Sequence, residues 1–214
     1  MDKIEQTAAY VKLSLDGAEA GHDWWHIYRV WQTAKTIAVK EQADIEVVEY
    51  AALLHDIADS KFNNGDEEIG PQKAGDFLRS ISVNEDTIHH VQQIIRYMSF
   101  KASLGNVRFQ SKELDVVQDA DRLDAIGAMG IARAFSYGGY KQRGFYDPEI
   151  LPNTNITKEE YKNSNAPTIN HFYEKLLLLK DKMNTAAGKE LAIKRHQFME
   201  MFLEQFYGEW EGRI

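Results

Sequence analysis

Cysteine is absent from all 214 residues, which excludes disulfides and thiolate zinc sites alike. A metal in this chain must therefore sit on His, Asp, Glu or backbone oxygen, and a reducing compartment is compatible with the composition. Basic residues are outnumbered, 25 against 33 acidic ones, giving a net charge of -8 and a pI near 5.4. That balance argues against a broad nucleic-acid-binding face and leaves room only for a local basic pocket. Long apolar runs are missing from the first stretch, which mixes Asp2 and Glu5 with its hydrophobic residues. Neither a signal peptide nor a membrane span is expected, and the expected location is the cytoplasm. Sustained two-residue alternation and internal repeats are missing as well, so neither strands nor a repeat array is expected.

What is there is helical spacing from one end to the other. Ile4, Ala8, Val11 and Leu15 share one face behind a capping Asp2, and Ile27, Val30, Ala34, Ile37 and Ala38 share another behind His22-Asp23. Asp44 caps a third helix whose Ile45, Val48, Ala52, Leu53 and Leu54 drive burial up to His55-Asp56. A polar loop over 60–70 leads to Pro71 at the first position of a fourth helix, and Asn84 caps a fifth. After a loop to Gln110, the spacing of Leu114, Val117, Leu123, Ile126 and Ala134 predicts one long helix or two stacked ones, with Gly127 and Gly130 admitting a neighbouring helix. Tyr137-Gly138-Gly139 is expected to stop it. An irregular region over 141–167 follows, and two closing helices run through Ile169–Leu179 and Gly188–Phe206. The fold class is therefore all-α, read as one domain over 1–214, with a core at about 20–135 and C-terminal helices at about 165–212.

Three stretches carry chemistry. Tyr50 to Asp59 is an apolar helix that ends in adjacent His55 and Asp56, with Asp59 three residues further on. A buried carboxylate needs a partner charge, strong hydrogen bonds or a metal to offset its desolvation, and imidazole beside carboxylate suits a divalent cation. The same pair would also serve as a helix cap. His26 stands at the edge of its helix's apolar face, where it can turn inward or simply complete the packing. The third stretch, Asp119-Ala120-Asp121-Arg122-Leu123-Asp124, places three carboxylates and an arginine in an otherwise apolar helix. One aspartate there is expected to reach a metal, or else the three divide among capping, pairing with Arg122 and exposure. His89-His90 offers two further imidazoles of undecided direction, and His22 is most simply a helix-start residue. Trp24, Trp25 and Trp31 read as core more readily than as a base-stacking platform.

Taken jointly, His22-Asp23-Trp24-Trp25-His26, Leu54-His55-Asp56-Ile57-Ala58-Asp59 and Gln118 through Gly127 resemble the HD superfamily of metal-dependent phosphohydrolases, and within it the YpgQ/YedJ-like group. The stretches His171–Leu176 and Lys180–Thr185 fit the same group, so the resemblance covers most of the chain. It implies one divalent ion, manganese, magnesium or another first-row metal, on His26, His55, Asp56 and Asp121, with Asp119 as the second choice for the fourth ligand. It implies Asp59 as the residue that orients or deprotonates the attacking water, and Lys61 and Arg122 as candidate phosphate contacts. The implied substrate is a small phosphate compound, a nucleotide above all, and the implied reaction is hydrolysis of a nucleoside triphosphate to monophosphate and pyrophosphate. Phosphomonoesterase or phosphodiesterase action is the alternative within the superfamily. A non-catalytic nucleotide sensor is the alternative outside enzymes, and a di-iron oxygenase would need a second metal.

Overall fold

The structure, a computed structural model, describes residues 2–17, 23–58, 68–98, 109–154 and 164–214. Among these residues it is built of nine α-helices and one 3-10 helix, with no strand, as the all-α reading expects. The helices are α1 (Lys3–Ser14), α2 (Trp24–Glu41), α3 (Ile45–Leu54), α4 (Ile69–Ser80), α5 (Glu85–Tyr97), α6 (Lys112–Asp124) and α7 (Gly127–Tyr140). They are followed by α8 (Thr168–Glu174), the 3-10 turn Leu176–Lys182 and α9 (Ala186–Trp210). The chain groups into two compact units, Met1–Asp121 and Arg122–Ile214, with the cut inside α6.

Side-chain caps start most of the helices in the N-terminal unit. Asp2 and Glu5 form a reciprocal capping box on α1, Asp23 accepts from His26 N at 2.9 Å, and Asp44 accepts from Val47 N at 3.2 Å. Asn84 accepts from Asp86 N at 2.8 Å and Ser111 from Leu114 N at 3.1 Å. Each satisfies one of the amide groups that a helix start leaves without an intrahelical partner. Helix α3 is the centre of this unit, packed against α1, α2 and α5, and every residue from Tyr50 to Leu54 is buried. Tyr10 of α1 stacks on Phe77 of α4 with ring centroids 3.9 Å apart. Helices α4 and α5 lie close enough that a Cβ on Gly75 would meet the Gln92 amide at 2.3 Å.

The C-terminal unit is organised by α9, which packs against α7 and the 3-10 turn, with Phe135, Phe172 and Phe202 meeting between α7, α8 and α9. Leu123 carbonyl accepts from Arg195, and Asp124, almost fully buried, pairs with Arg133 at 2.5 Å. His171 on α8 is depressed from the ordinary 6.5 to about 4, first by burial and then by Lys175 and Arg143.

Several local expectations are corrected. Pro71 is the third residue of α4 rather than the first; the first-turn amides have no carbonyl to reach in any case, so the ring is tolerated anywhere in that turn. Of the two arrangements expected over 112–140, one long helix or two stacked ones, the second is found, with the break at Ala125-Ile126 and Gly127 at φ +75°. Gly127 does sit against another helix, at the Arg195 side chain, whereas Gly130 makes room for the carbonyl of Ala125 in its own chain. Gly138-Gly139 does not stop α7, which runs on to Tyr140; a Cβ on Gly138 would lie 2.2 Å from Thr168 Oγ1, so the glycine serves close approach. The single helix expected over Ile169–Leu179 ends at Glu174 and tightens into the 3-10 turn. Trp25 is 59% exposed and is no core residue, while Trp31 donates its indole N–H to Glu49 at 3.0 Å.

Two outcomes follow from the C-terminal unit. Arg133→Ala leaves the Asp124 carboxylate buried without the guanidinium it pairs with and is expected to lower unfolding free energy by about 3 kcal/mol, read from urea denaturation midpoints. His171 must give up its burial to take a proton, so its stabilising effect is complete above pH 6.5 and is lost as pH falls toward 4. Stability should drop across that window by up to roughly 3 kcal/mol, and His171→Gln should flatten the drop when the two proteins are unfolded in parallel at pH 7, 5.5 and 4.

Candidate metal centre

Three elements of the N-terminal unit bring the candidate ligands together. The first turn of α2 supplies His26, whose backbone N–H is the one held by the Asp23 cap, so the start of the helix and the position of the imidazole are set by the same hydrogen bond. The end of α3 supplies His55 and Asp56, where the helix gives way to a turn over 55–58. Helix α6 supplies Asp121. His26 is 2% exposed and His55 9%, so both rings lie in the interior as the apolar spacing around them predicts.

His26 Nε2 is 3.7 Å from Asp56 Oδ2 and 3.5 Å from Asp121 Oδ1, and His55 Nε2 is 3.7 Å from Asp56 Oδ2. The two imidazoles meet edge to face with centroids 5.5 Å apart. One donor atom each from His26, His55 and Asp56 falls within a mutual 4.8 Å, and Asp121 approaches this trio from the His26 side. These separations are too long for hydrogen bonds. Donor atoms that share a cation at roughly 2.1 Å lie about 3 Å apart when adjacent and about 4.2 Å when opposite, which is the range observed.

The hydrogen bonding of His55 makes the same point independently. Its Nδ1 lies 2.9 Å from the Ala52 carbonyl, an acceptor only, so that nitrogen carries the proton and Nε2 presents a lone pair. Nε2 is buried and has no hydrogen-bond partner among the described residues. An orphaned buried acceptor costs about 1–3 kcal/mol. A cation satisfies it, and a backbone carbonyl behind the ligating ring is the usual way such a ring is oriented. The donor set of two neutral nitrogens and carboxylate oxygens fits a divalent ion.

Other predicted residues fall elsewhere. Asp119 is wholly buried and lies two residues, about 200° of helix, from the Asp121 that reaches His26, so the two face different sides of α6. Arg122 belongs to the C-terminal unit, where its Nη1 donates to the Lys182 carbonyl at 2.7 Å. His90 Nε2 is 3.0 Å from Ser111 Oγ and 3.6 Å from Glu113, in the network that starts α6, and His89 is 3.5 Å from Gln93. Asp59, Lys61 and His22 lie outside the described residues. What sequence spacing does not reveal is the Ala52 carbonyl: a backbone acceptor three residues before a helix-ending histidine leaves no trace in residue types.

A family model described as the HD domain matches residues 24–126, a span that contains His26, His55, Asp56 and Asp121. The YpgQ protein of Bacillus subtilis, itself uncharacterized, is 39% identical over 214 residues covering 99% of this chain and 96% of its own. The chain belongs to the HD-domain family. A Bacillus thuringiensis HD-superfamily hydrolase of known structure shares 46% identity over 98% of this chain and 97% of its own, with a TM-score of 0.78. The crystal structure of Bacillus subtilis YpgQ in complex with ADP aligns over 97% of both chains at 36% identity, with a TM-score of 0.75. This HD protein is accordingly a metal-dependent phosphohydrolase with a requirement for a divalent cation. Among the described residues, no helix is long and apolar enough to cross a membrane.

The candidate ligands differ in what their replacement is expected to cost. Replacing His55 by Gln is expected to weaken manganese binding by at least roughly 100-fold, measured by titrating the metal-stripped protein. Asp121→Asn should weaken it as well, and Asp119→Asn should leave it within about threefold; equal losses in these two would reverse the choice between them.

Proposed function

We propose that this HD protein hydrolyses nucleotides, a nucleoside triphosphate to the monophosphate and pyrophosphate, at one divalent cation held by His26, His55, Asp56 and Asp121. The observation that carries the reading is the His55 ring, turned by the Ala52 carbonyl so that its buried Nε2 lone pair faces the same region as Asp56 and His26. That the YpgQ protein has been crystallised with ADP supports a nucleotide as the bound compound. Engagement of His90 by Ser111 and Glu113 favours a single ion over a pair. Manganese, magnesium and other first-row divalent ions suit the mixed nitrogen and oxygen donors.

When bound, the cation supplies Lewis acidity toward a phosphoryl oxygen and toward the attacking water. The chain's own groups do the rest. The Ala52 carbonyl keeps the Nδ1 proton of His55 in place, so the ring cannot rotate away or change tautomer during turnover. Asp56, whose Oδ2 is 3.7 Å from both imidazoles, holds negative charge between them. In this reading Asp59, four residues after His55, receives the proton of the attacking water, and Lys61 in the following segment meets phosphate charge.

Asp59→Asn is expected to retain the cation and to lower kcat by at least about 100-fold, whereas Asp56→Ala loses cation and turnover together. Nucleoside triphosphates supplied with manganese or magnesium should yield pyrophosphate and monophosphate in equal amounts. Release of inorganic phosphate alone would replace the pyrophosphohydrolase reading with a phosphomonoesterase one, and an unchanged rate in Asp59→Asn would remove that residue from the chemistry.

A further inference from the structure

Helix α9, 25 residues long, carries apolar residues on two sides and uses one of them within the fold. Ala192, Met199 and Leu203 are buried and mark its inward side, and the helix packs on α7 and the 3-10 turn. Met201 lies about 200° of helix from Met199, on the outer side. There it is 66% exposed, with Phe198 at 49% and Ile193 at 47%. One apolar stripe is enough to hold an amphipathic helix in a domain. A second one, on a helix already seated in the core, is the mark of a contact outside the fold.

The layout of this outer side selects the partner. Ile193 and Met201 each stand four residues from Gln197, one before it and one after, and Phe198 adjoins it. Charge is arranged about the same point with opposite signs. Of the exposed residues, Lys189 and Lys194 precede Gln197, whereas Glu200, Glu204 and Glu209 follow it. Lys194 and Glu200 are each three residues away. The exposed acid of the first half, Glu190, is held by Lys194 at 3.2 Å, and Glu200 is 3.2 Å from His196. Lys189 and Glu204 have no ion-pair partner among the described residues. Hydropathy that repeats about a point while charge reverses there makes a surface complementary to its own copy turned end over end, which is what an isologous twofold contact requires. Parallel helices would set lysine on lysine and glutamate on glutamate, an arrangement that like-charge repulsion disfavours.

We propose that two copies of this protein associate through α9, the helices antiparallel about a twofold axis at Gln197. Ile193 then faces the partner's Met201, and Met201 faces the partner's Ile193. Lys189 falls beside the partner's Glu204, so the contact gains two ion pairs by symmetry. A face drawn from one helix is small for an obligate dimer, so the association is reversible, with Kd on the order of 10 µM. It rests on no residue of the metal centre and is independent of the hydrolase reading.

Sedimentation equilibrium of the full-length protein from about 1 to about 300 µM should show a monomer passing into a dimer. Met201→Glu, which sets a carboxylate against the partner's Ile193, should weaken the dimer at least about tenfold. Lys189→Glu and Glu204→Lys should each weaken it by roughly threefold to tenfold, and the two together in one chain should restore it, because the pair is rebuilt with its signs exchanged. The chain has no cysteine, so Gln197→Cys is a lone thiol on the axis and mild oxidation should join it to its own copy; Leu13→Cys on α1, at a position 79% exposed, should not be joined under the same treatment. A monomer at the highest concentration, a dimer undiminished by Met201→Glu, a double charge reversal that restores nothing, or equal crosslinking of the two thiols overturns the proposal.

Discussion

The interaction on which the candidate centre depends is a single hydrogen bond, from the Nδ1–H of His55 to the carbonyl of Ala52. It decides which nitrogen keeps its proton, and therefore which one is left as a buried lone pair. It also locates the site at a helix end, because the ring turns back over the last turn of α3 instead of continuing outward. Everything else in the cluster is arranged about that nitrogen: Asp56 follows in the turn, and His26 closes the far side at the start of α2. Burial of α3 makes this arrangement rigid, since the helix carrying His55 is packed on α1, α2 and α5. Local capping, core packing and the donor geometry are in this sense one construction.

The two units handle buried charge differently. In the N-terminal unit, imidazole nitrogens and carboxylate oxygens stand 3.5 to 3.7 Å apart, a separation that suits a shared cation. In the C-terminal unit, Asp124 is closed off by Arg133 at 2.5 Å, and His171 is kept neutral. A carboxylate bonded directly to a guanidinium has spent its lone pairs on structure. The Asp-rich stretch of α6 thus carries residues of different fates within six positions: Asp119 wholly buried, Asp121 beside His26, and Asp124 in an ion pair.

Helix positions and the inward direction of His26 and His55 were legible in the sequence because both follow from apolar spacing, which reports burial directly. The caps at Asp2, Asp23, Asp44 and Asn84 were legible for a similar reason, since short polar side chains ahead of apolar periodicity have few other uses. The ligand set itself came from resemblance to the HD superfamily, not from spacing. Spacing could not rank Asp119 against Asp121, because a helix presents both and only the position of His26 distinguishes them. Glycine was the least readable residue. Gly138 looked like a stop and is a contact for Thr168, whereas Gly127 does separate a pair of helices. Whether a glycine serves conformation or proximity depends on what lies opposite, and that information is not local.

The corner between α6 and α7 is closed by a residue far along the chain: Arg195 grips the Leu123 carbonyl and lies over Gly127 from 72 residues beyond Leu123. On the ribosome, where synthesis proceeds from the N-terminus, that clasp cannot form until the first ten residues of α9 have emerged. Until then α6 ends in a carbonyl that lacks this guanidinium and in a glycine that lacks this neighbour, so the nascent chain completes the bend well after both helices it joins have been made.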